Sequence, residues 1–281
     1  MIGLLGVVAL LAAAWLMSYN RKAINWRTVA GAFGLQALFG LIVLYLPQGK
    51  IALQWMGERV KMVLDYSKAG TDFLFGSFMD LSNHGFVFAL QVLPVIVFFS
   101  ALITVLYHIG IMSWIIKFIG GFLQKALKTS QPESMNAAAN IFVGQTEAPL
   151  VVKPFIANMT RSELFALMVG GMASIAGSVM AGYAGMGVDI KYLLAASFMA
   201  APGGLLMAKI MLPETEDPKD ELHQINPKME QNTNIFDAAA QGAASGLQIA
   251  FNVGAMLLAF IALIALLNGV IGGIGGWFGY P

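Results

Sequence analysis

Asn140-Ile-Phe-Val-Gly-Gln-Thr-Glu-Ala-Pro-Leu150 decides how the rest of the chain is read. It sets two amides, a hydroxyl, a carboxylate, a glycine and a proline inside a sequence that is otherwise apolar. A lipid-facing helix does not carry Gly144, Gln145, Thr146, Glu147 and Pro149 so close together. A helix broken there frees backbone N–H and C=O groups, which in hydrocarbon need partners or a water-filled cavity. An ionisable residue at membrane depth is a functional-site hypothesis by default. The stretch therefore predicts a polar site held inside an apolar protein.

Composition agrees. Hydrophobic residues make up 58% of the chain and charged residues 11%, against about 25% charged in soluble domains. The mean hydropathy is +0.74. The chain reads as an all-α integral membrane protein. Its formal net charge is +1, and no basic patch laced with aromatics suggests nucleic acid. Cysteine is absent, which excludes disulfides and thiolate chemistry. His84, His108 and His223 lie far apart and have no metal-ligand spacing. No Gly-x-x-x-x-Gly-Lys loop occurs, which argues against an ATP-driven pump.

Outward from the polar stretch, apolar runs of about 20 residues mark spans. Residues 2–19 form the first, without a basic leader or a convincing cleavage site, so they read as a retained helix. Residues 29–46 form the second. Arg21, Lys22 and Arg27 between them place that loop in the cytoplasm. Residues 50–80 alternate charged and apolar side chains and read as an amphipathic helix at the outer interface. Residues 86–109 form the third span, with Pro94 as a kink. Lys117, Lys125 and Lys128 then mark the cytoplasmic side.

Residues 112–160 do not read as a span. Two short apolar arms flank the break at 144–147, which predicts a re-entrant hairpin with both ends cytoplasmic. Thr160 and Glu163 match a capping box that opens the next helix. That helix runs over 161–185 and carries a possible break at 174–177. Residues 192–212 form a further span, with a kink or unwound point at Pro202-Gly203-Gly204. Residues 213–232 read as a polar cytoplasmic linker. A long helix fills 234–268, and the glycine-rich residues 269–281 read as an interfacial turn.

Chemistry then narrows the candidates. Glu147 at a helix break suits a ligand; the bland alternative pairs it with Lys153 or a backbone amide. Gln145 carries both donors and acceptors and can read a heterocycle. Asn140 and Ser174 offer the oxygens a hard cation prefers. Taken alone, however, Asn and Ser more often bond a neighbouring helix. Gln248 could line a pore or bond a helix, and Asn252 and Asn268 read as helix–helix contacts.

The 140–150 stretch resembles the hairpin signature of the concentrative nucleoside transporter family. Gly-Met-Ala-Ser-Ile-Ala-Gly at 171–177, Ala-Ala-Ser-Phe-Met-Ala-Ala-Pro-Gly-Gly at 195–204 and Asp-Ala-Ala-Ala at 237–240 support it. The resemblance covers the chain from Arg21 onward. It implies a sodium-coupled nucleoside importer, not an enzyme, working by alternating access as a homotrimer in a bacterial inner membrane. Residues 1–111 would then be scaffold and oligomerisation helices, 112–212 a first transport repeat, and 233–281 a long crossing helix with its tail. By the same resemblance Gly144, Gln145, Thr146 and Glu147 would contact the nucleobase. Val179 and Ile249 would pack near it, although a leucine is expected at position 249. Asn140, Val143, Ser174 and Ile175 would bind sodium, the two aliphatic residues through their carbonyls. Family members continue into a second hairpin and two more helices that hold the ribose, so the chain reads as the earlier and larger part of a longer protein. A proton-coupled carrier is the alternative. A channel or a scaffold fragment fits less well, because the polar residues are too few for a continuous lining and a siteless scaffold needs no Glu147 in a break.

Overall fold

Capping and apolar length together set the first elements. In this computed structural model residues 2–80, 85–145, 147–216 and 233–277 are described. Helix α1 (Ile2–Leu16) is followed by α2 (Trp26–Tyr45), whose first N–H groups bond the Asn25 side chain at 3.1 and 3.4 Å. The expected first span is therefore shorter than 2–19. Fifteen helical residues reach about 22 Å, less than the roughly 30 Å hydrocarbon core. The chain turns instead, and the Tyr19 N–H donates to the Met211 carbonyl at 2.8 Å. The charged stretch begins earlier than expected and is two helices, α3 (Pro47–Asp65) and α4 (Ser67–Phe75). Pro47 starts α3 because its missing N–H costs nothing in a first turn.

A short α5 (Phe88–Gln91) leads into α6 (Leu93–His108), with Pro94 in the first turn and not at a mid-helix kink. Gly110, at φ 86°, turns the chain into α7 (Ile111–Leu127). This helix is strongly one-sided. Met112, Ile116, Leu123 and Leu127 are buried, while Trp114, Phe118 and Phe122 are exposed. The Thr28 hydroxyl holds the last turn by donating to the Leu127 carbonyl at 3.0 Å. Helix α8 (Gln131–Ala139) packs back along α7, so close that a Cβ on Gly120 would stand 3.0 Å from Met135 Cα.

After the 140–147 turn the chain returns as a 3-10 helix, Ala148–Asn158, where an apolar arm like the first was expected. Pro149 and Pro154 withhold two backbone donors from an α ladder. Helix α9 (Arg161–Ala173), α10 (Gly177–Gly185) and α11 (Ile190–Met211) follow. The expected unwinding at 202–204 does not occur. Pro202 lies inside α11, and the two glycines serve close approach instead. A Cβ on Gly204 would stand 3.3 Å from Gly170 Cα, and one on Gly203 2.9 Å from Gln36 Nε2.

Helix α12 (Ile235–Trp277) runs through 43 residues. The glycine-rich tail is helical as far as Trp277 and is not a turn. Each glycine costs a helix about 1 kcal/mol, but in hydrocarbon an unwound segment would leave backbone groups unpaired, which costs more. Gly242 and Gly246 seat α12 on α6: added Cβ atoms would stand 2.7 Å from Ala101 Cα and 2.8 Å from Val97 Cα. This is small-residue packing at four-residue spacing, which lets membrane helices approach closely. Among the described residues four segments are long and apolar enough to cross a membrane: Trp26–Val43, Phe88–His108, Ile190–Met211 and Ile235–Gly275. No strand occurs among the described residues. His84, His223, Thr146, the linker from 217 to 232 and residues 278–281 lie outside them.

Candidate functional site

Two helices end at one place. Helix α8 starts at a capping-box pair, with the Ser130 N–H donating to the Glu133 carboxylate at 2.8 Å, and stops at Asn140. Helix α9 starts at the same kind of pair. The Thr160 N–H donates to Glu163 at 2.7 Å, and the Glu163 N–H returns to the Thr160 hydroxyl at 3.1 Å. It stops at Ser174, whose backbone is extended (φ −106°, ψ 159°). The last carbonyls of a helix lack helical partners and carry partial negative charge. Two such ends converge here.

Side chains add oxygens to this patch. The Asn140 amide nitrogen donates to the Asn136 carbonyl at 3.0 Å, which turns its oxygen the other way. The Ser174 hydroxyl stands 3.4 Å from that oxygen and 3.4 Å from the Gly171 carbonyl. Both separations are long for O–H···O bonds, which centre on about 2.7–2.8 Å. These oxygens are held together but poorly satisfied by one another. Oxygens at about 2.3–2.6 Å from a common ion and at right angles stand about 3.4 Å apart. The pair thus fits the shell of a hard cation of calcium's size, and sodium has nearly that radius. Among the described residues no three His, Cys, Asp or Glu side chains gather to hold a metal. A cation here would rest on neutral oxygens.

The extended backbone at 174–176 lies against the hairpin tip. A Cβ on Gly144 would stand 3.1 Å from Ala176 Cβ, one on Gly171 2.8 Å from Gln145 Cβ, and one on Gly177 2.1 Å from the Phe142 carbonyl oxygen. Side chains at the last two would force the segments apart. Val143 is buried and Ile175 half-buried within this contact.

At the tip, Gln145 is exposed and Glu147 half-buried. Thr146 is outside the described residues. The Glu147 carboxylate lies near the Ser100 hydroxyl and the Gly144 N–H, and Lys153 is exposed. Ser100 belongs to α6, which also meets α10 and α12. A Cβ on Gly177 would stand 2.7 Å from Phe99 Cε1, and one on Gly246 2.7 Å from Ser100 Cβ. Val179 on α10 and Ile249 on α12 are half-buried just beyond those two glycines. Helix α6 thus joins the tip to the helices that carry both apolar candidates.

The Gln248 amide donates to Asn252 at 3.3 Å on the same helix, and both side chains are exposed. Asn268 is exposed. Sequence reasoning missed Ser100, which nothing local marks, and Asn136, whose amide donates to the Leu167 carbonyl at 3.3 Å. It also passed over two legible patterns: Ser130-Gln-Pro-Glu133 as a capping box, and Gly242-x-x-x-Gly246 as a packing face.

Comparison with known proteins bears on this arrangement. Three family models match consecutive parts of the chain: "Na+ dependent nucleoside transporter N-terminus" over residues 5–78, "Nucleoside recognition" over 89–189, and "Na+ dependent nucleoside transporter C-terminus" over 192–281. An uncharacterized transporter of Haemophilus influenzae is 60% identical over 99% of this chain and 66% of its own. Nucleoside permease NupC of Helicobacter pylori is 48% identical over 94% of this chain and 63% of its own. Human sodium/nucleoside cotransporter 1 is 40% identical over 96% of this chain and 41% of its own. The chain thus spans about two thirds of the bacterial relatives and two fifths of the human one. Solved structures of a protein called CNTnw match at 59% identity. One, inward-facing and substrate-bound, has a TM-score of 0.91 and is covered to 66%, with 99% of this chain aligned. A variant in an outward-facing state has a TM-score of 0.92 and is covered to 67%, with 98% of this chain aligned. Identity at this level, over nearly the whole chain and through the hairpin and the broken helix alike, makes this all-α membrane chain a member of the concentrative nucleoside transporter family.

Proposed function

We propose that this chain forms the base-reading and sodium-binding part of a sodium-coupled nucleoside importer. The observation that carries the reading is the meeting of Asn140 and Ser174 oxygens at 3.4 Å where α8 and α9 both end. With the Val143 and Ile175 carbonyls, that pair would hold one sodium ion. The hairpin tip would hold the nucleobase: Gln145 and Glu147 as donors and acceptors in the base plane, Gly144 and Thr146 beside them, Val179 and Ile249 against its faces.

Sodium and base sites would then share one stretch of backbone, 140–147. An ion that orders this turn also orders the base readers, which gives coupling between the two ligands a physical route. Relatives' names include sodium/nucleoside cotransport, and CNTnw has been captured inward-facing, outward-facing and between. Both support alternating access, with 112–212 moving against 1–111. A re-entrant hairpin with cytoplasmic ends, a homotrimeric assembly and a bacterial inner-membrane location complete the reading. Glu147, a half-buried carboxylate in a helix break, favours one second reading, proton coupling. Uptake by the intact transporter in proteoliposomes separates them. Dependence on a sodium gradient at constant pH supports the sodium reading; dependence on a proton gradient alone supports the other.

A further inference from the structure

A buried charge lies at the base of the hairpin, away from both candidate sites. Lys209, in the last turn of α11, is 6% exposed. Its ammonium stands 2.8 Å from Glu133, 3.0 Å from the Ser162 hydroxyl and 3.6 Å from Glu214. Each partner belongs to a different segment: the first turn of α8, the first turn of α9, and the residues just after α11. The partners are themselves tied down. Glu133 accepts the Ser130 N–H at 2.8 Å, Ser162 donates to the Leu212 carbonyl at 2.7 Å, and Glu214 accepts from the Thr160 hydroxyl at 2.9 Å.

Burying an ion pair takes both charges out of water, and well-packed apolar residues often serve stability as well or better. Stability alone therefore gives weak grounds for this cluster. Its geometry gives better ones. Glu133, Asn136 and Asn140 follow one another at three- and four-residue spacing and share a face of α8. Lys209 holds that face about 10 Å along the axis from Asn140, and holds α9 about 18 Å before Ser174, at about 1.5 Å per residue. One ammonium thus anchors the near ends of the two helices whose far ends carry the candidate cation oxygens.

We propose that Lys209 is a positioning residue for the cation site, fixing the axial register of α8 against α9 so that Asn140 and Ser174 meet. The inference rests on the sodium reading of that pair. Lys209→Met alone leaves Glu133 buried without its partner and is expected to lower the amount of folded protein. The deciding variant is therefore the neutral pair K209M/E133Q, which removes the clamp and leaves without its cation only Glu214, whose side chain is 25% exposed. It is made in the intact transporter and reconstituted in proteoliposomes. Wild-type expression and melting temperature are expected, with half-activating sodium raised about tenfold, equivalent to about 1.4 kcal/mol.

A second readout does not depend on transport. Gln131→Cys and Met168→Cys place spin labels on a half-buried position of α8 and an exposed position of α9. In the neutral pair their distance distribution broadens. A folded neutral pair with the wild-type distribution overturns the proposal, as does a broadened one with unchanged sodium activation. Sodium-independent uptake by the unsubstituted transporter sinks the cation reading instead, and the distance measurement still decides the clamp.

Discussion

The side-chain oxygens of Asn140 and Ser174 stand 3.4 Å apart although 34 residues separate them in the chain. The contact exists because α8 and α9 stop at the same level and because glycines line the approach. In the proposed function, cation binding, base reading and the mechanics of the hairpin all depend on that junction.

The glycines give the first expectation. A Cβ at position 177 would stand 2.1 Å from the Phe142 carbonyl oxygen, closer than packing tolerates. Gly177→Ala should push the hairpin tip away from α10, at an overpacking cost of about 1–3 kcal/mol. Thermal unfolding in detergent should show the drop, and nucleoside binding should fall further than the folded fraction does. Full binding in this variant would mean that the tip does not rest against α10.

The tip gives the second. Glu147→Gln and Gln145→Ala should each weaken nucleoside binding by the intact transporter. A hydrogen bond to a charged group contributes about 1.5–3 kcal/mol, so the loss at Glu147 should be roughly 10- to 150-fold, and at the neutral Gln145, with about 0.5–1.5 kcal/mol, roughly 2- to 12-fold. The losses should differ between uridine, cytidine and adenosine, because each base offers a different edge. Calorimetric titration reads them. Equal wild-type affinities for all three bases in both variants would leave Glu147 with a holding role against Ser100 only.

Packing of α12 on α6 gives the third. Gly246→Leu inserts a side chain where even a Cβ would meet Ser100 Cβ at 2.7 Å. It should lower the melting temperature, with an overpacking cost of about 1–3 kcal/mol. Gly269→Ala, where nothing lies within 4 Å, should be neutral or gain up to about 1 kcal/mol of helix propensity. Equal effects at the two positions would dissolve the distinction between a packing glycine and a tolerated one.

Orientation gives the fourth. Lys128 and Asn158 flank the hairpin and are both exposed, and the chain has no cysteine of its own. Lys128→Cys and Asn158→Cys should label from the cytoplasmic side of oriented vesicles. Labelling from opposite sides would show that the segment crosses the membrane and is not re-entrant.

Local patterns were the most legible in the sequence. Thr160 and Glu163, three residues apart, form the capping box their spacing announces. The polar break at 144–147 marks where the helical arms separate. Pairings between distant segments were not legible. Nothing in the neighbourhood of Ser174 says that Asn140 will face it, so the residues alone left both as ordinary helix contacts, and only the resemblance favoured an ion. Lys209 likewise takes much of its meaning from Glu133 and Ser162, distant in the chain. The misread glycine tail has a different cause. Intrinsic propensity favours a turn at 269–276, but hydrocarbon penalises any backbone that leaves the helix.

Uptake of radiolabelled uridine against sodium concentration, by the intact transporter and its Asn140→Ala and Ser174→Ala variants, tests the central claim most directly. The account predicts uptake that saturates with sodium, and half-activating concentrations raised in both variants at normal expression. Each variant removes one oxygen from the shell without opening the hairpin tip. Sodium activation that is unchanged in both, or uptake indifferent to sodium in the unsubstituted protein, would contradict it.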